Sequence, residues 1–118
     1  MNDPVTATAR AAAELLAAEY GPGLRVEVEA ALDARGAPQR PVQYVDPVSL
    51  GSLIVSAATL AWTIYAELRK STLEPATDEV ARQVSTELRE RGDASPQKAD
   101  RITEVVVTEI IKVTRNPR

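Results

Sequence analysis

The feature that most constrains this chain is a long uncharged segment in its middle, from Val45 to Lys70. Between Asp46 and Glu67 the sequence contains no charged side chain. Water on every side of such a segment is unfavourable, because removing apolar surface from water lowers the free energy of the system. The segment therefore needs a cover, which is the rest of the chain, a partner protein or lipid.

The same segment carries the signals of one long α-helix. Asp46 followed by Pro47 is a typical helix start, since Asp accepts hydrogen bonds from free N–H groups and Pro suits the first helical position. Arg69 and Lys70 stand where cations interact favourably with the carboxyl end of a helix. A helix over Pro47–Lys70 is about 36 Å long at ~1.5 Å per residue.

Helical spacing divides this segment into three faces, of which the first is broadly aliphatic. The aliphatic face consists of Leu50, Leu53, Ile54, Ala57, Leu60, Ala61, Ile64 and Leu68. A second face is small at its start and aromatic at its end, with Gly51, Val55, Ala58, Trp62 and Tyr65. A third carries hydroxyl groups, on Ser49, Ser52, Ser56, Thr59 and Thr63. Such hydroxyls can bond to the preceding turn, so this face can be buried without a partner.

Two hypotheses for the helix remain open. In the first, it is the buried helix of a soluble domain or of an oligomer. In the second, residues 47–66 span a membrane, because a span needs ~20 mainly apolar residues. The aromatic residues Trp62 and Tyr65, followed by the basic residues Arg69 and Lys70, would suit a membrane interface. Five hydroxyl residues, one glycine and several alanines lower the hydropathy of the segment, which favours the first hypothesis.

Composition excludes several function classes. The 118 residues include no Cys and no His, so disulfides, thiolate metal sites and imidazole chemistry are absent. A net charge of −3 does not favour nucleic acid, whose binding depends on clustered Lys and Arg. Aromatic residues are only 3% of the chain, so a core of Val, Leu, Ile and Ala is expected. The N-terminus lacks a basic region followed by a long apolar run, so we expect no cleaved signal peptide.

The segments around the central helix predict an α+β fold that is mostly α, in a single small domain over 1–118. Residues 7–20 are rich in helix formers and end at the breakers 21–23. Residues 24–29 alternate apolar and charged, which predicts a strand, and 42–45 predict a second, antiparallel strand. Residues 1–45 would thus form a helix and a β-hairpin, with the central helix over 46–70. Residues 75–115 predict a C-terminal helical hairpin, although the β-branched run within 102–113 also resembles a strand.

Three patterns suggest chemistry, and each has a simpler explanation. Ser95 and Lys98 have the spacing of a serine nucleophile and its base, but Ser95 before Pro96 is typical of a helix cap. Glu27 and Glu29 would form a carboxylate pair on one strand face, which is ordinarily the solvated side. The basic residues of the last helix alternate with acidic ones, which argues against DNA binding. We therefore predict a protein that is not an enzyme, with no catalytic residue, cofactor, metal or evident small-molecule substrate.

The block VDPVSLGSLIVSAATLAWTIYAELRK, with the segment ATDEVARQVSTELRERGDASPQKADRITEVVVTEII that follows, resembles small uncharacterised proteins and modules from actinobacteria. Some of these are associated with bacterial conflict (defence) systems. The resemblance covers residues 45–111 and includes no catalytic motif. It implies an accessory or adaptor component rather than a self-sufficient enzyme.

Together these observations predict a cytoplasmic interaction or adaptor module that docks on a protein partner, or on a second copy, through its central helix. The predicted contact residues on that helix are Ser52, Val55, Ser56, Thr59, Trp62 and Tyr65. Trp and Tyr are enriched at the energetic centres of interfaces. The alternative is a single-span membrane protein whose C-terminal helical hairpin is cytoplasmic.

Overall fold

Five α-helices account for 91% of the residues that the computed structural model describes, which are 4–36, 50–71, 74–91 and 95–115. They are α1 (Pro4–Tyr20), α2 (Gly23–Gly36), α3 (Leu50–Arg69), α4 (Thr77–Arg91) and α5 (Pro96–Arg115). The uncharged segment forms α3, as predicted. Its predicted start at Asp46 and Pro47 lies outside the described residues.

The predicted α+β class is wrong, because the described residues contain no β-strand. Residues 24–29, predicted as a strand, lie in α2. Leu24 and Val28, four residues apart, are buried, whereas Val26 between them is 72% exposed. The alternating pattern thus also contained an i,i+4 apolar pair, and the helix formers that follow it, Ala30 to Leu32, extend that helical face. The second predicted strand, 42–45, lies outside the described residues.

The turn between α1 and α2 follows from Gly21. Its φ of 103° is a left-handed conformation that glycine adopts without strain, and its N–H donates to the carbonyl of Ala17 at 2.8 Å. Pro22 cannot continue α1, so the chain reverses and α2 packs beside α1. Across this hairpin Arg10 donates to Glu29 at 2.7 Å.

The helix α3 contacts each of the other four helices and so lies at the centre of the fold. The core around it is almost wholly aliphatic and includes no Trp or Phe. Its largest fully buried side chains are Leu16, Leu53, Ile54, Leu88, Ile102 and Ile110. The described chain therefore covers much of its own apolar helix.

The predicted C-terminal helical hairpin is confirmed, and the β-branched run of 102–113 is helical. Ser85 on α4 donates to Asp100 on α5 at 2.5 Å, and the earlier part of α4 lies beside the later part of α5, so the two helices are antiparallel. Ser95 caps α5 as expected: its hydroxyl accepts a hydrogen bond from the N–H of Lys98 at 3.3 Å.

The closest approach of α2 to α3 occurs at Gly51. A Cβ placed on this glycine would lie 2.5 Å from the carbonyl carbon of Glu27 and 2.6 Å from its oxygen. The N–H of Gly51 donates to the Glu27 carboxylate at 3.2 Å. Because the first N–H groups of a helix have no intrahelical acceptor, Glu27 both satisfies one of them and stabilises the positive end of the α3 dipole.

Replacing Thr103 with valine is expected to raise the free energy of unfolding by about 1 kcal/mol. The Thr103 side chain is 2% exposed, and its hydroxyl has no hydrogen-bond partner among the described residues. Valine keeps the shape and removes the desolvated polar atom. The matched control is Thr114→Val on the same helix, because the Thr114 hydroxyl donates to the Ile110 carbonyl at 2.9 Å. Both variants are measured by urea unfolding. The expectation would be contradicted if Thr103→Val lowered the free energy of unfolding more than Thr114→Val does.

Candidate interaction face

The six predicted contact residues do not share one environment. Val55 and Tyr65 are buried, at 6% and 5% exposure, in the chain's own core. The guanidinium of Arg69 stands 5.7 Å from the centre of the Tyr65 ring. Both side chains therefore already have neighbours within this chain, and their contact with a partner stays a prediction.

The other four predicted contact residues are half-buried on α3: Ser52, Ser56, Thr59 and Trp62. The Thr59 hydroxyl donates to the carbonyl of Val55 at 2.9 Å, which is the local bond that lets a threonine sit on an apolar helix. With the exposed Thr63, the three small hydroxyl residues form a line along the outer side of α3. We call Ser52, Ser56, Thr59 and Thr63 the hydroxyl stripe. Trp62 lies one turn from Thr59 and borders it.

A groove between α3 and α4 adjoins the hydroxyl stripe and encloses about 470 Å³. Its lining consists of Leu60, Thr63, Ile64, Arg82, Gln83, Thr86 and Glu87. Leu60 and Ile64 pack against the core with one side and stay partly open to the groove with the other. We call this the α3–α4 groove. The sequence predictions missed it, because its α4 side consists of ordinary polar residues that only the tertiary fold places beside α3.

The polar side of the groove is partly ordered by Glu79. This carboxylate accepts hydrogen bonds from Gln83, at 2.8 Å, and from Arg82. The Gln83 amide and then the Arg82 charge lower the pKa of Glu79. Glu87, by contrast, takes part in none of the ion pairs between described residues.

Two further polar clusters join helices rather than form a site. Asp100 accepts from Ser85 and, at 2.7 Å, from Arg89, and these bonds lower the pKa of the Asp100 carboxyl, with the Ser85 hydroxyl the larger cause. Arg101 on α5 binds Glu19 on α1 and Glu104 on its own helix, which raises the pKa of the guanidinium. The same Arg101 bond lowers the pKa of Glu19.

The candidate chemical patterns do not come together as a catalytic arrangement in the described residues. Ser95 is occupied as the cap of α5. Glu27 and Glu29 diverge, because Glu27 reaches α3 and Glu29 reaches Arg10 on α1. No group of three acidic residues that could hold a metal ion occurs in the described part of the chain.

By length and composition alone, α3 would be long and apolar enough to cross a membrane. In the folded chain 44% of its most apolar 18-residue window is buried. Most of the remaining residues of α3 are half-buried, and only Thr63, Glu67 and Arg69 are exposed. No protein-family model, curated protein or solved structure matches this chain.

Proposed function

We propose that this chain is a non-catalytic protein-interaction module that docks through the outer side of α3. The docking surface consists of the hydroxyl stripe, Trp62 and the α3–α4 groove. The observation that carries the proposal is the incomplete cover of α3: it is the most apolar of the described helices, yet Leu60, Trp62 and Ile64 are only half-buried beside the exposed Thr63. Apolar surface left open beside polar residues is typical of protein contact sites.

The shape of this surface also suits a helical partner. Serine and threonine are small, so another helix can approach α3 closely along the hydroxyl stripe. The Thr59 hydroxyl bonds within the helix, and serine and threonine hydroxyls can in general do so, which lets them be covered by a partner without water. Half-buried Trp62 at the border adds a large rigid side chain of the kind that often dominates binding energy.

The experiment is site-specific photo-crosslinking in the native host. A photoreactive amino acid replaces Thr63, which is exposed on the docking surface, and separately replaces Val26, which is exposed on α2. We expect a discrete crosslinked species from position 63 and none from position 26, with its composition read by mass spectrometry. Equal crosslinking at both positions, or none at either, would contradict the proposal.

A single membrane span is the alternative function, and the length and apolarity of α3 favour it. Insertion would require α3 to give up its contacts with four helices. Fractionation of cells without detergent separates the two functions: an interaction module stays in the supernatant, whereas a membrane anchor sediments with the lipid.

A further inference from the structure

The helix α4 lies between two open grooves. On one side is the α3–α4 groove, and on the other a groove of about 520 Å³ separates α4 from α5. We call the second one the α4–α5 groove. By comparison, the hollow between α1 and α2 encloses about 110 Å³. Side chains along a groove lack neighbouring atoms on one side and lose the dispersion contacts of a filled interior, so both flanks of α4 are packed less closely than the α1–α2 hairpin.

The two ends of α4 are held differently. Its fully buried side chains are Val80, Val84 and Leu88. Its polar bonds to another helix lie in the carboxyl-terminal half, where the Ser85 hydroxyl and the Arg89 guanidinium donate to the Asp100 carboxylate at 2.5 Å and 2.7 Å. Val80 lies five residues, or about 7.5 Å, before this joint. Among the described residues, the amino-terminal half of α4 therefore rests on apolar packing, without a polar bond to another helix.

The α4–α5 groove also borders a polar atom that folding leaves unpaired. Thr103 on α5 lines this groove together with Ala81 and Ser85 of α4. Its hydroxyl is buried and has no hydrogen-bond partner among the described residues. Such a hydroxyl has lost its bonds to water without replacing them. Outward movement of α4 would let water reach it, which offsets part of the cost of exposing the buried valines of α4.

We infer that α4 is a movable helix, whose amino-terminal half swings away from α3 and α5 about the joint at Asp100. The movement widens the α3–α4 groove and exposes Leu60 and Ile64, which already line it. Val107 of α5 loses its cover in the same movement, since it lines the α4–α5 groove. The open state is a local opening, which costs less free energy than global unfolding and leaves the other four helices in place. It needs no docking partner and so goes beyond the proposed interaction function.

The helix α2 is the natural control for α4. Both helices contact only two other helices within the described chain, α2 lying against α1 and α3. The backbone of α2, however, is in close contact with α3 at Gly51. Polar bonds also tie α2 to both neighbours, from Glu27 to α3 and from Glu29 to Arg10 on α1. We therefore expect α2 to stay in place when α4 opens.

The test is thiol labelling, because the chain contains no cysteine and a single introduced thiol reports on one position. Val80→Cys and Val107→Cys place it on the two sides of the contact between α4 and α5. Val106→Cys is the matched control, since Val106 is as buried as Val107 but is not among the residues that line the groove. Val28→Cys is the control on α2, where the side chain is 1% exposed.

Each folded variant is treated with N-ethylmaleimide in native buffer, and its rate is divided by that of the same variant unfolded in urea. Val80→Cys and Val107→Cys should be labelled at least about tenfold faster than Val106→Cys and Val28→Cys. Urea unfolding of each variant gives the rate that global unfolding alone would produce. Labelling at 80 and 107 should exceed that rate and should change little at low urea, since a local opening exposes less surface.

Equal relative rates at the four positions would overturn the movable helix, and so would rates at 80 and 107 no faster than global unfolding predicts. Fast labelling at 80 with slow labelling at 107 would also overturn it, because that result indicates fraying of one end of α4 rather than movement of the helix. The crosslink from position 63 is read independently. If it forms while α4 stays closed, the interaction function stands and the movable helix does not.

Discussion

Replacing Gly51 with alanine is expected to lower the free energy of unfolding by about 1–3 kcal/mol, the usual cost of overfilling a packed interior. The new methyl carbon would lie 2.5 Å from the backbone of Glu27, well inside van der Waals contact. A backbone atom cannot move aside as the end of a flexible side chain can. Helix α2 must therefore shift away from α3, which also lengthens the hydrogen bond between the Gly51 N–H and the Glu27 carboxylate.

Gly23→Ala is the matched control for this variant. Gly23 begins α2, and a Cβ there meets nothing within 4 Å. Alanine restricts the unfolded chain more than glycine does, so this change should be neutral or stabilising by about 0.4–1 kcal/mol. Both variants are measured by urea unfolding, followed by circular dichroism and by the fluorescence of Trp62, the single tryptophan. Equal stabilities for the two variants would show that α2 and α3 are not in close contact at Gly51.

The existence of the central helix and its end near Arg69 could be predicted because the signal for them is local. An uncharged run with helical spacing and basic residues at its end specifies a helix whatever surrounds it. The same holds for the cap at Ser95 and for the glycine turn at 21, where one side chain or one backbone conformation decides the outcome. These features do not depend on which helix packs against which.

The strand prediction for 24–29 was wrong because its signal was ambiguous over so short a stretch. Three apolar residues at a spacing of two contain a pair at a spacing of four, and tertiary contact decides which spacing is used. In the fold, α1 and α3 bury Leu24 and Val28 and leave Val26 in water. Nothing within the six residues contains that information.

The docking surface could be predicted only in part for a related reason. A helical repeat identifies a face, but not whether the chain itself covers it. Tyr65 and Val55 lie under neighbouring helices, whereas three residues of the hydroxyl stripe are half-buried and Thr63 is exposed. The groove depends further on α4 residues such as Arg82 and Glu87, whose sequence context is that of any solvated helix.

Replacing Ile54 with alanine is expected to cost about 2–5 kcal/mol of unfolding free energy, because it leaves a cavity in the core. Ile54 is fully buried on α3. The matched control is Ile64→Ala, the same change on the same helix at a half-buried position, which should cost about 1 kcal/mol. Both variants are measured in urea without detergent, at a protein concentration low enough for the chain to be monomeric, so that contacts between copies do not enter.

The difference between the two isoleucines also separates a protein-covered helix from a lipid-covered one. A helix that is normally covered by lipid has no rigid neighbours in detergent-free solution, so neither substitution would leave an enclosed cavity and both would lower the free energy of unfolding by a similar, small amount. In the folded domain, Ile54 is enclosed by neighbouring helices that cannot close the gap fully, whereas Ile64 borders an open groove. If the other helices of this chain cover α3, Ile54→Ala should lower the free energy of unfolding strongly and Ile64→Ala only slightly. Equal small costs would place the helix in a different environment and remove the basis for the docking surface.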